Sequence, residues 1–175
     1  LHAALHALDL RGGEVVVPPF SFSATVAAVL HAGGTPVFAD VSPHTFCLDP
    51  KEVKRALTKK TRAILPVHLF GGLADVDDLA SFGLPIIEDA CQAVGARFED
   101  GRYAGTVGLA GAMSFNGTKN IPAGEAGCLV TNSSKVAKQA RLLMNHAESH
   151  YKPWVGYNYR PNEVTCCIAY HGLLD

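Results

Sequence analysis

The sequence lacks the features that mark membrane proteins and nucleic-acid-binding proteins. Its 175 residues contain no run near the roughly 20 consecutive apolar residues that a membrane-spanning helix requires. Charge of either sign is not in excess, because 15 basic and 16 acidic side chains leave a formal net charge of -1. Without a basic surplus there is no electrostatic drive towards nucleic acid or anionic lipid. We therefore predict a protein that acts on small molecules, with neither nucleic acid nor membrane as a partner.

Patterned cysteine and histidine are also lacking. The five cysteines are odd in number, scattered and without CxxC spacing, which argues against a disulfide framework and against a zinc site. His146 and His150 have the i, i+4 spacing of metal ligands, but Glu148 does not stand where an HExxH motif needs it, and no third ligand is evident. We predict reduced thiols, a cytoplasmic location and no metal ion.

The two ends of the chain lack the residues that usually open and close a helix. The first eight residues have a helical pattern with no capping residue and no Met before it. The chain ends inside another helical pattern, at Leu173 and Leu174. We expect a piece of a longer polypeptide.

What the sequence contains in quantity is short apolar segments, bounded by Gly or Pro, that alternate with helical patterns. Strands are predicted at 14–17, 36–40, 62–68, 84–88, 111–115 and 126–131. Helices are predicted at 1–8, 24–30, 51–57, 75–81 and 134–146, with a short helix from Ala90 and with Ser21 or Ser23 as the cap of the second helix. The alternation is typical of an α/β fold in which helices cover both faces of a mostly parallel sheet.

Ligands of such sheets bind at the carboxyl ends of the strands, where three residues with suitable chemistry lie. Asp89 follows one predicted strand, Ser114 lies at the end of another, and Lys119 lies in a nearby segment rich in small residues. Pyridoxal 5'-phosphate (PLP) requires a lysine amine to hold its aldehyde as a Schiff base and an acidic group beside its ring nitrogen. Lys119 and Asp89 together therefore predict a PLP site.

Each candidate also has a purely structural explanation. Asp89 can cap the helix predicted after it, with Gln92 closing a capping box, and Lys119 can be an exposed loop lysine. Ser114 can cap the end of its strand. Phe22, which is placed to stack on a cofactor ring, can equally be a core residue of its helix. The local sequence leaves these alternatives open.

Taken in order, several segments resemble the fold-type I aminotransferases of the DegT/DnrJ/StrS group, which make amino sugars on nucleotide carriers. The resemblance covers almost the whole chain. Its segments are PPFSFSAT at 18–25, PVFAD at 36–40, PVHLFG at 66–71, IEDACQA at 87–93, SFNGTKN at 114–120, GEAG at 124–127 and GYNYR at 156–160.

The resemblance implies a role for each candidate residue. Lys119 corresponds to the Schiff-base lysine and Asp89 to the partner of the pyridinium nitrogen. Gln92 corresponds to a contact near the ring hydroxyl, Ser114 to a phosphate ligand, and Phe22 to the aromatic residue that stacks on the ring. All five residues are therefore expected to surround one cofactor.

The resemblance also implies a homodimer and an incomplete domain. Asn158 corresponds to a residue that reaches the cofactor phosphate of the partner subunit. Residues 1–175 correspond to the PLP-binding large domain. An upstream phosphate-binding turn and a smaller C-terminal domain, which family members have, are not expected within these residues.

The activity implied is transfer of an amino group, with glutamate as the expected donor, to a keto-sugar of a nucleoside-diphosphate sugar. Lys119 favours transamination, because a sugar dehydratase branch of the family has His at that position. A dehydratase and an amino-acid aminotransferase are alternatives within enzymes. A non-catalytic protein of the same fold, which binds a sugar nucleotide or a partner subunit, is the alternative from another class.

Overall fold

The computed structural model describes residues 1–148 and 155–174, which form six strands and six α-helices. The strands are β1 Glu14–Val17, β2 Thr35–Phe38, β3 Thr61–Ile64, β4 Ile87–Asp89, β5 Ala110–Ser114 and β6 Gly127–Val130. The helices are α1 His2–His6, α2 Ser23–His31, α3 Pro50–Ala56, α4 Val76–Ala80, α5 Ser134–Met144 and α6 Glu163–Gly172, with a 3-10 helix at Leu69–Gly71. Within the described part of the chain, no helix has the length and apolar character needed to cross a membrane.

The strands form two three-stranded sheets that continue into each other. In the first sheet β1 lies between β2 and β3, and both pairings are parallel. In the second, β5 pairs with β4 in parallel and with β6 antiparallel. Two parallel bridges, Ile64 with Ile86 and Val67 with Asp89, join the sheets. The strand order is therefore β2-β1-β3-β4-β5-β6, and the predicted α/β fold with a mostly parallel sheet is confirmed.

Helices cover the sheet on both faces. Successive residues of a strand point to opposite faces, so Val15 and Val17 pack in one apolar cluster and Val16 in another. The cluster of Val15 takes side chains from α1, α2 and α5, whereas that of Val16 takes Val53 of α3 and residues of α4. Because all three valines of β1 are fully buried, an uninterrupted apolar run forms this central strand.

Capping residues explain where two of the helices begin. Asp49 accepts a hydrogen bond from the Lys51 amide at 2.8 Å, with proline at the first helical position of α3. Ser133 caps α5 in the same way. The predicted cap of α2 is wrong: Phe22 occupies the cap position and makes no side-chain capping bond. The hydroxyl of Ser21 instead forms a hydrogen bond with the hydroxyl of Thr25 at an oxygen–oxygen distance of 2.9 Å.

Two other predicted elements differ from the structure. The strand predicted at 62–68 ends at Ile64, because Pro66 has no amide hydrogen with which to continue the ladder. The helix predicted from Ala90 is absent, and two successive turns occupy this stretch. The amide of Ala90 still bonds to the Ala112 carbonyl at 2.9 Å, which holds the chain to β5 as the first turn begins.

The centre of the sheet contains a buried pair, Glu88 with His68, and both side chains are fully buried. The Nδ1 atom of His68 accepts a hydrogen bond from the Ala74 amide at 3.1 Å, so its Nε2 carries the proton that is donated to Glu88 at 2.8 Å. His68 therefore packs inside the protein, although it lies near the carboxyl end of a predicted strand.

Glu88 also anchors the loop that precedes β5. Its two oxygens accept hydrogen bonds from the amides of Gly105, Val107 and Gly108 at 2.9, 2.7 and 2.6 Å. Burial alone would raise the pKa of Glu88, but the bonds from His68 and the loop amides outweigh it and hold the pKa below its ordinary value.

We predict that Glu88→Gln lowers the free energy of unfolding at pH 7 by roughly 2–4 kcal/mol, because buried donors lose a charged acceptor. The pKa of Glu88 is depressed in the folded state, so its contribution is present above about pH 4.5 and is lost as the pH falls further. Urea unfolding of both proteins at pH 7 and under acidic conditions measures the difference.

The control is Glu99→Gln, which alters an exposed glutamate and is expected to change stability by less than about 0.5 kcal/mol. Equal effects of the two substitutions, or a Glu88→Gln difference that grows on acidification, would contradict this account of Glu88.

Candidate active site

Five of the predicted site residues line one cavity of about 390 Å³ at the carboxyl ends of the strands: Phe22, Asp89, Gln92, Ser114 and Lys119. They come from the start of α2, the end of β4, the turn after β4, the end of β5 and the loop after β5. The volume lies within the range of about 300–1,000 Å³ that small-molecule sites occupy. Parallel strands bring these distant residues together because their carboxyl ends share one edge of the sheet.

Asp89 is the acidic group at the base of this cavity. Its side chain is almost completely buried, at 5% exposure. One oxygen, Oδ2, accepts a hydrogen bond from the Thr25 hydroxyl at 2.9 Å, and the other, Oδ1, accepts one from the Cys91 amide at 3.2 Å. Asp89 thus caps a turn rather than the expected helix. A carboxylate can accept about four hydrogen bonds. Among the described residues Asp89 accepts these two, so it can still accept a hydrogen bond from a ligand.

Gln92 holds a neighbouring loop against the cavity. Its Oε1 atom accepts a hydrogen bond from the Phe70 amide at 3.1 Å. Phe70 lies in the 3-10 helix with a φ of 54°, in the left-handed region that phenylalanine seldom adopts. No capping box forms between Gln92 and Asp89 within the described residues, so the bond to Phe70 is what orients this amide.

Lys119 lines the cavity, and its amine forms no ion pair within the part of the chain that the structure describes. It is half-buried, and its ammonium group makes no hydrogen bond or ion pair with residues 1–148 or 155–174. Its backbone amide donates to the Asn116 carbonyl at 2.9 Å, which closes a tight turn. The amine is therefore presented to the cavity without the competition of a salt bridge.

Ser114 and Phe22 lie at the margins of the cavity. The Ser114 hydroxyl accepts a hydrogen bond from the Asn116 amide at 3.3 Å, which is the strand-end arrangement expected of it. Its proton remains available to an anion. Phe22 is 70% exposed, which rules out the interpretation as a core residue and leaves one face of the ring open to a ligand.

The residues that line the cavity without a predicted role include Thr25, Asn116, Thr118 and Glu125. Asn116 connects three of them, because its Oδ1 accepts from the Thr118 hydroxyl at 3.0 Å and its Nδ2 donates to Glu125 at 2.8 Å. These bonds brace the loop that carries Lys119. Asn116, Thr118 and Glu125 lie inside the segments SFNGTKN and GEAG. Nothing in the local sequence distinguishes a side chain that braces the loop from one that is exposed to solvent.

Cys91 lies between the cavity and β5. Its thiol donates a weak hydrogen bond to the Ala112 carbonyl at 3.7 Å. Burial raises the pKa of the Cys91 thiol far above its ordinary value, and the negative charge of Asp89 raises it further. Cys91 is therefore protonated at neutral pH and unsuited to act as a nucleophile.

Asn158 is not among the residues that line this cavity. It is exposed, pairs with Asn145 in an antiparallel bridge, and accepts a hydrogen bond from Arg160 at 3.4 Å. An exposed position suits a residue expected to reach a partner subunit, and that role stays a prediction. His150 lies outside the described residues, so the prediction of no metal ion also stays a prediction.

Comparison with known proteins identifies the family. The model of the DegT/DnrJ/EryC1/StrS aminotransferase family matches residues 1–174. The chain therefore belongs to this family, as its ordered segments predicted.

Two curated relatives illustrate the range of the family. The chain is 40% identical to the "Pleiotropic regulatory protein" of Geobacillus stearothermophilus, with 96% of this chain and 47% of the relative covered. It is 38% identical to GDP-perosamine synthase of Caulobacter vibrioides, with 97% of this chain and 48% of the relative covered. The chain thus spans about half the length of the curated relatives it matches.

A solved structure shows the same architecture. NtdA of Bacillus subtilis, crystallised with the bound cofactor PMP, superimposes with a TM-score of 0.87 at 34% identity. The match covers 98% of this chain and 41% of NtdA. The predicted aminotransferase fold is confirmed.

We predict that thiol accessibility separates the five cysteines into two classes. Iodoacetamide at pH 8 is expected to modify the exposed Cys166 and Cys167 first. Modification of Cys47, Cys91 and Cys128 is expected to be slower, because burial raises the pKa of each thiol. Mass spectrometry of peptides from a labelling time course gives the order.

In urea all five thiols are expected to react at similar rates. If Cys91 were labelled in the folded protein as fast as Cys166, its thiol would be accessible to solvent, which would contradict the burial of Cys91 at the cavity wall.

Proposed function

We propose that residues 1–175 form the PLP-binding large domain of an aminotransferase that transfers an amino group to a keto-sugar of a nucleoside-diphosphate sugar. Glutamate is the expected amino donor. The observation that carries the proposal is the convergence on one cavity of the buried Asp89 carboxylate and the Lys119 amine, which has no ion-pair partner among the described residues. These are the two groups that PLP chemistry requires of a protein.

The residues present fit PLP at each part of that molecule. A lysine without an ion-pair partner among the described residues suits the aldehyde, and a buried carboxylate with spare acceptor capacity suits a protonated ring nitrogen. The Ser114 hydroxyl suits an anionic phosphate, and the open face of Phe22 suits an aromatic ring. The related NtdA structure holds PMP, the aminated form of the same cofactor.

When bound, PLP supplies an electron sink that stabilises negative charge on the substrate carbon next to nitrogen. The Lys119 amine would hold the cofactor in the resting protein and would serve as the general base that moves a proton during the transfer. Asp89 would stabilise a protonated ring nitrogen, Phe22 would cover the ring, and Gln92 would lie near the ring hydroxyl.

The family supports the substrate class and the assembly that we propose. GDP-perosamine synthase names a nucleotide-linked amino sugar as its product, which supports a nucleotide-sugar substrate. A homodimer is supported by the exposed position of Asn158, which leaves its side chain accessible to a second subunit. A cytoplasmic location, which the unpaired cysteines suggest, completes the proposal.

We predict that the protein mixed with PLP develops a visible absorption band that depends on Lys119 and bleaches when glutamate is added. Lys119→Ala is expected to abolish the band, because Lys119 is the lysine that lines the cavity among the described residues. Lys135→Ala is the matched control, since Lys135 is an exposed lysine of α5 outside the cavity. Absorption spectra of the three proteins at equal concentration provide the measurement.

The outcomes distinguish the candidate functions. A band that bleaches with glutamate supports the first half of transamination. A Lys119-dependent band that no amino acid bleaches would favour the non-catalytic alternative, in keeping with the regulatory name of one relative. The absence of a band from the chain and from a version extended to the length of its relatives would contradict the proposal.

A further inference from the structure

We infer that Thr25 is a positioning residue for Asp89, through a directed chain of hydroxyl groups that runs from Ser21 to Thr25 to the carboxylate. The inference rests on the proposed function, because it concerns how Asp89 would face the ring nitrogen of PLP. Its basis is a set of hydrogen bonds in the floor of the cavity.

The Thr25 hydroxyl is buried against Asp89. Thr25 is 1% exposed and Asp89 is 5% exposed, and the distance from Thr25 Oγ1 to Asp89 Oδ2 is 2.9 Å. The two residues are separated by 64 positions in the chain and belong to α2 and β4. A buried hydroxyl between a helix and a strand end requires a partner, and here the partner is the carboxylate that the mechanism uses.

The direction of the hydrogen bonds follows from the number of protons. An ionised carboxylate only accepts, and a threonine hydroxyl has one proton to donate. Thr25 therefore donates to Asp89, and the Ser21 hydroxyl, 2.9 Å from Thr25 Oγ1, must be the donor to Thr25.

The two oxygens of Asp89 are held from different sides. Oδ1 accepts from the Cys91 amide at 3.2 Å, and Oδ2 accepts from Thr25 at 2.9 Å. Two donors attached to separate elements oppose rotation of the carboxylate about its χ2 torsion, which is otherwise broad for aspartate. The remaining lone pairs then point in a defined direction before any ligand enters, and such pre-organisation strengthens binding.

The same bond links two contacts of the proposed cofactor. Phe22 is the N-cap of α2 and Thr25 lies in its first turn, so the Thr25–Asp89 bond ties the segment that carries Phe22 to the carboxylate. Loss of the Thr25 hydroxyl is expected to weaken the interaction of Asp89 with the ring nitrogen more than the contact of Phe22 with the ring. The reason is that Thr25 bonds to Asp89 directly.

The test compares Thr25→Val, which keeps the shape and removes the hydroxyl, with Thr25→Ser, which keeps the hydroxyl. Dissociation constants are measured for PLP and for an analogue in which carbon replaces the ring nitrogen. Thr25→Val is expected to weaken PLP binding at least about tenfold, as expected for loss of a hydrogen bond to a charged group. Binding of the analogue is expected to change less than about twofold, and Thr25→Ser is expected to recover most of the preference for PLP.

The outcomes separate this inference from the proposed function. Equal weakening of PLP and the analogue by Thr25→Val would overturn the inference, because it would show a structural role only. Unchanged binding of both compounds would also overturn it, while leaving the proposed function intact. If neither the unaltered chain nor its version extended to the length of its relatives preferred PLP over the analogue, the proposed function would fall and the inference with it.

Discussion

The parallel pairing of β4 between β3 and β5 is the constraint on which the rest of the site depends. Asp89 lies opposite Ala112 of β5 and is bridged to Val67 beyond β3. This register places the end of β4 level with Ala112, two residues before the end of β5 at Ser114. A slip of one residue would turn Asp89 to the opposite face, because side chains alternate along a strand. The site is therefore a consequence of sheet register.

Two adjacent carboxylates on β4 lie in different environments, because successive side chains of a strand point to opposite faces. Glu88 faces inward and accepts four hydrogen bonds, from His68 and three loop amides, which fill its acceptor sites. Asp89 faces the cavity and accepts two within the described residues. Glu88 is thus saturated and structural, whereas Asp89 retains capacity for a ligand. We regard this contrast as the physical basis of the proposed cofactor site.

The sequence predicts elements whose signals are local. The apolar run of β1 and the Asp49 cap of α3 are examples, because burial and capping depend on neighbouring residues. The gathering of Lys119 and Asp89 at one edge follows from strand order, and the chemistry of the two residues predicts a PLP site. The Thr25–Asp89 bond could not be predicted, since it joins positions 64 residues apart. The prediction of a helix from Ala90 was wrong, because the hydrogen bond from the Ala90 amide to Ala112 of β5 outweighed a local capping pattern.

The most direct test of the central claim is the protonation state of the cofactor nitrogen. The protein is loaded with PLP labelled with ¹⁵N in the ring, and its NMR spectrum is compared with those of Asp89→Asn and the control Glu99→Gln. We expect the chemical shift of a protonated ring nitrogen in the unaltered protein and the control, and that of an unprotonated nitrogen in Asp89→Asn. The same shift in all three proteins would show that Asp89 does not hold the ring proton, and would contradict the account.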